Sequence, residues 1–93
     1  MAVTRINRFH AKPGMEEALH GALLSLVPSI ANLKGCLKVR LLSSLDDPAD
    51  FIVYEEWASI EAHKSAVKAA PPAAFAKIMP LLAATARGDY YAG

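Results

Sequence analysis

The chain has 93 residues, of which 54% are hydrophobic, and 10 Lys and Arg against 9 Asp and Glu give a formal net charge of +1. A chain of this length forms one domain, and such a domain buries only about two-thirds of the surface that its unfolded chain exposes. The basic residues are scattered without forming a stripe, which argues against nucleic acid as a partner. Because the apolar content exceeds what one small core readily hides, some apolar surface should face a ligand or a second copy of the chain.

The N-terminal segment and the cysteine content indicate in which cellular compartment the protein is found. The first ten residues alternate polar and apolar side chains, and no stretch approaches the roughly 20 apolar residues that span a bilayer. The single cysteine, Cys36, has no internal disulfide partner and suits a reducing compartment. His10 and His20 are too isolated to be metal ligands. We therefore expect one cytoplasmic domain, residues 1–93, without a metal, a cofactor or a membrane partner.

Residues 2–10 follow the period-2 pattern of a strand. One face of this strand carries Val3, Arg5, Asn7 and Phe9. Pro13-Gly14 breaks it, and apolar residues then recur at helical spacing from Met15 to Leu33, which predicts an amphipathic helix of about five turns. Pro28 should kink this helix or end it early, because proline lacks a backbone donor and clashes with the preceding turn.

A β-hairpin is predicted next. Its first strand runs from Cys36 to Ser44 and carries one apolar face of Leu37, Val39 and Leu41. Asp46-Asp47-Pro48 is typical of a turn. The second strand, Phe51 to Ala58, carries Phe51, Val53, Glu55 and Trp57 on one face and Ile52, Tyr54 and Glu56 on the other. The two strands are expected to pair antiparallel across a long loop.

The remaining sequence predicts two helices and a strand. Ser59 is a favourable N-cap for a helix with Ile60, His63 and Val67 on one face. Pro71-Pro72 ends that helix and offers a good first turn to a shorter one. The shorter helix would contain Phe75, Ile78, Met79 and Leu82, with Pro80 disturbing its last turn. Thr85 to Ala92 forms a final short strand.

The resulting β-α-β-β-α-β order predicts an α+β fold. Two right-handed β-α-β units give a four-stranded antiparallel sheet with the helices on one face. The other face carries Ile6, Ile52 and Tyr54 and is left bare. We expect a second copy of the chain to cover it, which makes the protein a homodimer through the open sheet face.

The run from Phe51 to Ser59, FIVYEEWAS, resembles the third-strand signature of the antibiotic biosynthesis monooxygenase family, in which a Tyr-Glu-x-Trp segment leads into the second helix. Lys12-Pro13-Gly14, Gly35-Cys36 and Asp46-Asp47-Pro48 are similar to the family's turn after strand one, its second strand and its hairpin loop. The resemblance covers about residues 3–91. It implies a ferredoxin-like fold, a barrel-like dimer, and a pocket between sheet and helices in each subunit.

The activities in that family differ, so the fold alone does not decide the chemistry. Its members include cofactor-free oxygenases that convert anthrones or quinols to quinones, haem-degrading enzymes, and proteins without an assigned substrate. Trp57 matches the tryptophan that lines the cavity of the quinone-forming members, where an aromatic wall holds a flat phenolic ring. Simple packing beneath the second helix is the alternative interpretation of Trp57.

His63 lies six residues after Trp57, at a position where the quinone-forming relatives can place a tyrosine. A histidine there could accept a phenolic proton near neutral pH, which would make the substrate electron-rich enough to react with oxygen without a metal. The alternative is a histidine packed at the helix edge and bonded to water.

Asn7 is similar to the first-strand asparagine of the haem-degrading branch. Ala66 and Ala76 stand where that branch has its tryptophan and its haem-ligating histidine, which disfavours haem degradation. The quinone-forming branch has an asparagine on strand three, where this chain has Val53. Asn7 lies on the same predicted face and could supply an amide from the neighbouring strand. A polar side chain bonded to nearby backbone is the alternative for Asn7.

Arg5 and Glu55 lie on the pocket face, where charged groups need partners, and we expect them to form a structural ion pair across strands one and three. Lys77 corresponds loosely to a basic residue of the quinone-forming site. Cys36 has no neighbour in sequence that would lower its pKa, so we interpret it as structural.

These assignments predict a cofactor-independent monooxygenase that oxidises a small aromatic phenol, anthrone or quinol to a quinone. The predicted catalytic residues are His63, Asn7 and Trp57. The predicted substrate contacts are Trp57, Val53, Phe9 and Val67. A non-catalytic dimeric module that binds a small apolar molecule is the alternative, favoured by Val53 and by the apolar composition. A chain that only mediates assembly is a third possibility, and an empty or absent pocket would support it.

Overall fold

The computed structural model describes residues 2–70 and 73–93, which fold around a four-stranded antiparallel sheet. The strands are β1 (Val3–His10), β2 (Cys36–Ser43), β3 (Asp50–Trp57) and β4 (Arg87–Tyr91). The helices are α1 (Glu16–Ala31), α2 (Ile60–Ala69) and the single turn α3 (Ala73–Ala76), followed by a 3₁₀ turn at Met79–Leu81. The sheet order is β2-β3-β1-β4. This is the predicted ferredoxin-like β-α-β-β-α-β arrangement, with α3 and the 3₁₀ turn added before β4.

The described helices cover one face of the sheet, and no described helix or strand covers the other. Along β3 the side chains alternate between buried and half-buried, as the period-2 pattern predicts. The core cluster contains Phe9, Ala11, Leu19, Leu23, Ala49, Phe51, Val53, Ile78 and Leu82. On the uncovered face Ile6, Ile52 and Tyr54 are only half-buried. The predicted sidedness of β1 and β3 is therefore confirmed.

Helix α1 continues past Pro28 and ends at Ala31, so the proline does not end it early. Proline removes one backbone donor, which would have bonded the carbonyl of Leu24. Leu24 is 55% exposed, so water can reach this turn of the helix. The carbonyl of Pro28 accepts a hydrogen bond from the Asn32 N–H at 3.2 Å, which closes the last turn.

The β2–β3 hairpin forms as predicted, with one correction at its start. The register of β2 against β3 shifts between Cys36 and Lys38. Such a bulge adds a residue to one strand and reverses the alternation of side chains beyond it. Leu37, predicted to share a face with Val39 and Leu41, is 59% exposed as a result.

The hairpin loop is held by side-chain hydrogen bonds. Ser44 Oγ accepts from the N–H groups of Asp46 and Asp47, both at 3.1 Å. Asp47 Oδ1 accepts from the Ala49 N–H at 2.9 Å. These local bonds are the turn chemistry that the Asp46-Asp47-Pro48 sequence predicts.

The segment after α2 is less regular than predicted. The predicted helix end at Pro71-Pro72 lies outside the described residues. Instead of one short helix, the chain forms α3 and the 3₁₀ turn, with Pro80 in the first positions of that turn. Ile78 and Leu82 are buried, while Phe75 and Met79 are exposed. None of the described helices is long and apolar enough to cross a membrane.

Candidate functional site

A cavity of about 540 Å³ lies between the sheet and helices α1 and α2. Its apolar wall includes Phe9, Leu26, Ile30, Leu33, Val53 and Phe75. Its polar and charged side chains are Arg5, Asn7, Glu55, His63 and Lys68, and Trp57 lies beside them. An apolar cavity with a few converging polar groups is the usual form of a small-molecule site.

Glu55 is the centre of the polar cluster. It is a carboxylate with only 4% of its surface exposed, and both of its oxygens accept hydrogen bonds. Trp57 Nε1–H donates to Oε1 at 2.7 Å, and Asn7 Nδ2–H donates to Oε2 at 2.8 Å. Burial raises the pKa of the Glu55 carboxyl, while the Trp57 hydrogen bond, the Arg5 charge and the Asn7 hydrogen bond each oppose that rise. Two donors fixed by neighbouring strands therefore hold this carboxylate in place.

His63 is buried on the inner face of α2, against two aromatic rings. Ser59 Oγ starts this helix by accepting the Ala62 N–H at 3.0 Å, the predicted N-cap. The imidazole meets the Trp57 indole edge to face, with centroids 5.1 Å apart, and it meets Tyr90 in the same way at 5.3 Å. Its Nδ1 lies 2.5 Å from the Tyr90 hydroxyl oxygen. This contact fixes the ring plane.

The surroundings of His63 favour the neutral imidazole. Burial and, secondly, the positive charge of Arg5 lower the pKa of His63 below its ordinary value of about 6.5. Nε2 lies 4.0 Å from Glu55 Oε1, beyond hydrogen-bonding distance. A neutral imidazole with Nδ1 bound to Tyr90 can keep Nε2 as a proton acceptor.

The expected ion pair of Arg5 and Glu55 is replaced by a chain of hydrogen bonds through Asn7. The two residues lie opposite each other on β1 and β3. Arg5 Nε–H donates to Asn7 Oδ1 at 3.1 Å, and Asn7 Nδ2–H donates to Glu55 Oε2 at 2.8 Å. The Arg5 guanidinium carbon also lies 4.6 Å from the centroid of the Tyr90 ring, which is a cation–π contact.

The structure places most of the predicted site residues together. Trp57, His63, Asn7, Phe9 and Val53 all line the cavity. Val67 lies at its edge and is 58% exposed, because Ala66 takes the inward position on α2. Lys77 is exposed and does not line the cavity. Cys36 is half-buried, and burial raises the pKa of its thiol, as suits an unreactive cysteine.

Tyr90 and Gly88 are site residues that the sequence analysis did not identify. Tyr90 lies opposite Arg5 on β4, and Gly88 lies opposite Asn7. Gly88 could have been identified from the sequence, because a glycine inside a strand often marks the close approach of another group. A Cβ on Gly88 would lie 2.1 Å from a terminal nitrogen of Arg5.

The two positions matched to the haem-degrading branch do not carry its tryptophan and its haem-ligating histidine. Ala66 is buried beside the cavity and Ala76 is exposed, so the two positions matched to the haem-degrading branch carry only methyl groups. A methyl group cannot ligate iron.

A second cavity, of about 510 Å³, lies toward the uncovered face of the sheet and includes Arg8, His10 and Asp50. His10, expected to be isolated, contacts Asp50 there, and ligand atoms of His10, Asp47 and Asp50 lie within 4.8 Å of one another. His10 and Asp50 are exposed, and exposed acidic groups are common without an ion. We assign no metal site to them.

The model of the family "Antibiotic biosynthesis monooxygenase" matches residues 2–78. No curated protein sequence matches the chain significantly. Rv0793 from Mycobacterium tuberculosis has a similar structure, with a TM-score of 0.86 and 22% identity over 100% of this chain and 95% of its own. SO0527 from Shewanella oneidensis has a TM-score of 0.81 and 29% identity over 97% of this chain and 88% of its own.

SnoaB from Streptomyces nogalater, a cofactor-independent oxygenase, is also similar in structure. Its TM-score is 0.81, with 18% identity over 99% of this chain and 92% of its own. At this identity the likeness extends to the fold alone.

Proposed function

The chain belongs to the antibiotic biosynthesis monooxygenase family, and we propose that it is a cofactor-independent monooxygenase that oxidises a small aromatic phenol, anthrone or quinol. The observation that carries the proposal is the environment of His63. Its imidazole is buried in an apolar cavity, with Nδ1 on the Tyr90 hydroxyl and its edge against Trp57. A neutral base beside an aromatic wall suits the removal of a proton from a bound phenol.

The proposed reaction starts with transfer of the substrate proton to His63 Nε2. In the tautomer that this step requires, Nδ1–H donates to the Tyr90 hydroxyl oxygen, and the Glu55 carboxylate, whose Oε1 lies 4.0 Å from Nε2, stabilises the imidazolium. The substrate anion then reduces dioxygen. For an anthrone, its CH₂ carbon becomes the quinone carbonyl with one atom of O₂, and the second oxygen atom leaves as water with the two hydrogens.

The other cavity residues have binding and positioning roles in this proposal. Trp57, Phe9 and Val53 form the surface against which a flat ring packs, and Val67 closes its edge. Asn7 is a positioning residue, since its amide is fully used in connecting Arg5 to Glu55. Val53 lies opposite Asn7, so the amide on this face of the sheet comes from β1, whereas the quinone-forming branch has its asparagine on the third strand.

Oxygen uptake with a panel of anthrones and quinols tests the proposal. We expect turnover above the buffer rate, and at least a hundredfold loss in His63→Ala, the usual contribution of a general base. Lys64→Gln, an exposed neighbour on α2, is the matched control and should keep the rate. Absence of turnover above buffer, with His63→Ala equal to the wild type, would contradict the proposal. A ligand recovered unchanged after purification would then favour the non-catalytic binding module, which Val53 also suits.

A further inference from the structure

The guanidinium of Arg5 faces the cavity with most of its hydrogen-bonding capacity unused. An arginine side chain has five N–H donors. Only Nε–H has an acceptor among the described residues, namely Asn7 Oδ1, which leaves four donors on the two terminal nitrogens. These donors are open to solvent, since no buried side-chain nitrogen of the described residues lacks a partner. The terminal nitrogens of Arg5 are therefore available to a ligand.

Three contacts fix where these free donors lie. Asn7 holds Nε, and the Tyr90 ring lies beneath the guanidinium carbon at 4.6 Å. Gly88 leaves the space that one terminal nitrogen occupies, because a Cβ there would lie only 2.1 Å from it. A donor group fixed before the ligand arrives costs less entropy to order on binding.

The charges around the cavity favour an anion. Arg5 and Lys68 contribute two positive charges and Glu55 one negative charge, so the cavity has a net charge of +1 when His63 is neutral. The Glu55 oxygens are already bound by Trp57 and Asn7, and the residue is 4% exposed. Glu55 therefore neither occupies the terminal nitrogens of Arg5 nor presents a free oxygen to a ligand.

From this geometry we infer that the ligand is an aromatic carboxylate, whose ring packs between Trp57 and the apolar wall and whose carboxylate binds the terminal nitrogens of Arg5. A guanidinium edge matches a carboxylate in a two-point, charge-assisted hydrogen bond. The inference takes its site from the proposed function and names the substrate class, but it requires no turnover.

Calorimetric titration under nitrogen compares 1-hydroxy-2-naphthoate with its uncharged carboxamide, which has the same ring and hydroxyl. We expect the wild type to bind the acid at least tenfold more tightly than the amide. Arg5→Gln should abolish this preference with a smaller change for the amide, and Arg5→Lys should restore part of it, because lysine keeps the charge but loses the two-point geometry. Lys64→Gln, which removes an exposed charge from α2, should preserve it.

Equal affinities of the wild type for acid and amide would overturn the inference, and this comparison needs no variant to fold. An equal loss of both affinities in Arg5→Gln would also overturn it, since that result assigns Arg5 a purely structural role. The proposed function fails separately. Arg5-dependent binding of the acid without oxygen uptake on any substrate would contradict the oxygenase and support the carboxylate site, whereas turnover of neutral anthrones without a preference for the acid would do the opposite.

Discussion

At the scale of single residues, the cavity combines an imidazole and a carboxylate whose pKa values are shifted in opposite directions. Burial disfavours the charged form of both His63 and Glu55, so it lowers the pKa of the imidazole and raises that of the carboxyl. Glu55 is compensated by two hydrogen bonds and by the nearby Arg5 charge. His63 receives no such compensation, and Arg5 lowers its pKa further. In the proposed mechanism His63 is the proton acceptor, because its Nε2 is free among the described residues while both Glu55 oxygens already accept hydrogen bonds.

The pH dependence of kcat/KM should report the free imidazole. We expect kcat/KM to rise with pH with a midpoint below about 6.5, the ordinary histidine pKa, because burial and the Arg5 charge lower the pKa of His63. His63→Phe should keep the fold, since a ring of similar size packs in its place, and should remove this dependence together with turnover. The profile is measured by oxygen uptake. A midpoint above about 6.5, or an unchanged profile in His63→Phe, would exclude His63 as the base.

Stability should respond to pH through the same residue. Between its lowered folded pKa and its unfolded pKa of about 6.5, His63 binds fewer protons in the folded protein than in the unfolded chain. Its contribution to the free energy of unfolding is therefore complete above about pH 6.5 and is lost as the pH falls through that window. Urea denaturation of the wild type and His63→Phe measures this difference. Above about pH 6.5 we expect the free energies of unfolding of the two proteins to change with pH in parallel. Below about pH 6.5 the wild type should lose more stability than His63→Phe.

At the scale of secondary structure elements, two glycines let other groups approach the sheet. Gly35, before β2, has a φ of +90°, and a Cβ on it would lie 2.8 Å from the Ala62 Cβ of α2. Gly88 has ordinary backbone angles, and a Cβ on it would meet the flexible ends of Arg5 and Asn7. Gly35 therefore allows α2 to pack closely against the chain before β2, and Gly88 leaves space for the Arg5 side chain.

Alanine at these two positions should have different effects. Gly35→Ala should lower the free energy of unfolding by about 1–3 kcal/mol, because it combines a strained backbone with a clash against the helix. Gly88→Ala should change stability by less than about 1 kcal/mol, since the side chains it meets can move. It should nevertheless weaken aromatic acid binding by displacing the Arg5 guanidinium. Urea denaturation and calorimetry of both variants provide the check, and a larger stability loss in Gly88→Ala than in Gly35→Ala would contradict it.

The sequence predicts the strands and helices and their buried faces well, because burial of one face leaves a periodic pattern of residues along each element. The alternation of Phe51, Val53, Glu55 and Trp57 is visible in the sequence, since a one-residue slip would expose the core face. The bulge at Leu37 is not visible, because it depends on how β2 pairs with β3. The contact between His63 and Tyr90 joins residues 27 apart and depends on the pairing of β4 with β1. Likewise, the Arg5–Asn7–Glu55 connection depends on rotamers that only the assembled sheet selects.

At the scale of the whole molecule, no described helix packs on the sheet face opposite α1 and α2. Apolar side chains on this face are half-buried or exposed: Ile6, Leu42, Ile52, Tyr54 and Tyr91. These apolar side chains lie beside charged ones such as Arg8, Arg40 and Glu56. Accessible apolar side chains on an uncovered sheet face are a feature of subunit interfaces. We propose that a second copy of the chain covers it.

Sedimentation at micromolar concentration should therefore give a mass of roughly 20 kDa, twice the 9.9 kDa of one chain. Ile52→Lys should produce a monomer, because it places a charge in the middle of the proposed interface. Leu24→Lys, at an exposed apolar position on α1, is the control and should remain dimeric. A stable wild-type monomer would refute the dimer without affecting the cavity.

Isotope labelling tests most directly whether the protein oxidises a substrate in this cavity without a cofactor. Metal-free protein is incubated with an anthrone under ¹⁸O₂, and the quinone is analysed by mass spectrometry. We expect one ¹⁸O atom in the new carbonyl, formed at a rate at least a hundredfold lower in His63→Phe, since that variant keeps the packing and lacks the base. Quinone without label, or label that appears equally fast in His63→Phe and in buffer, would contradict the proposed monooxygenase.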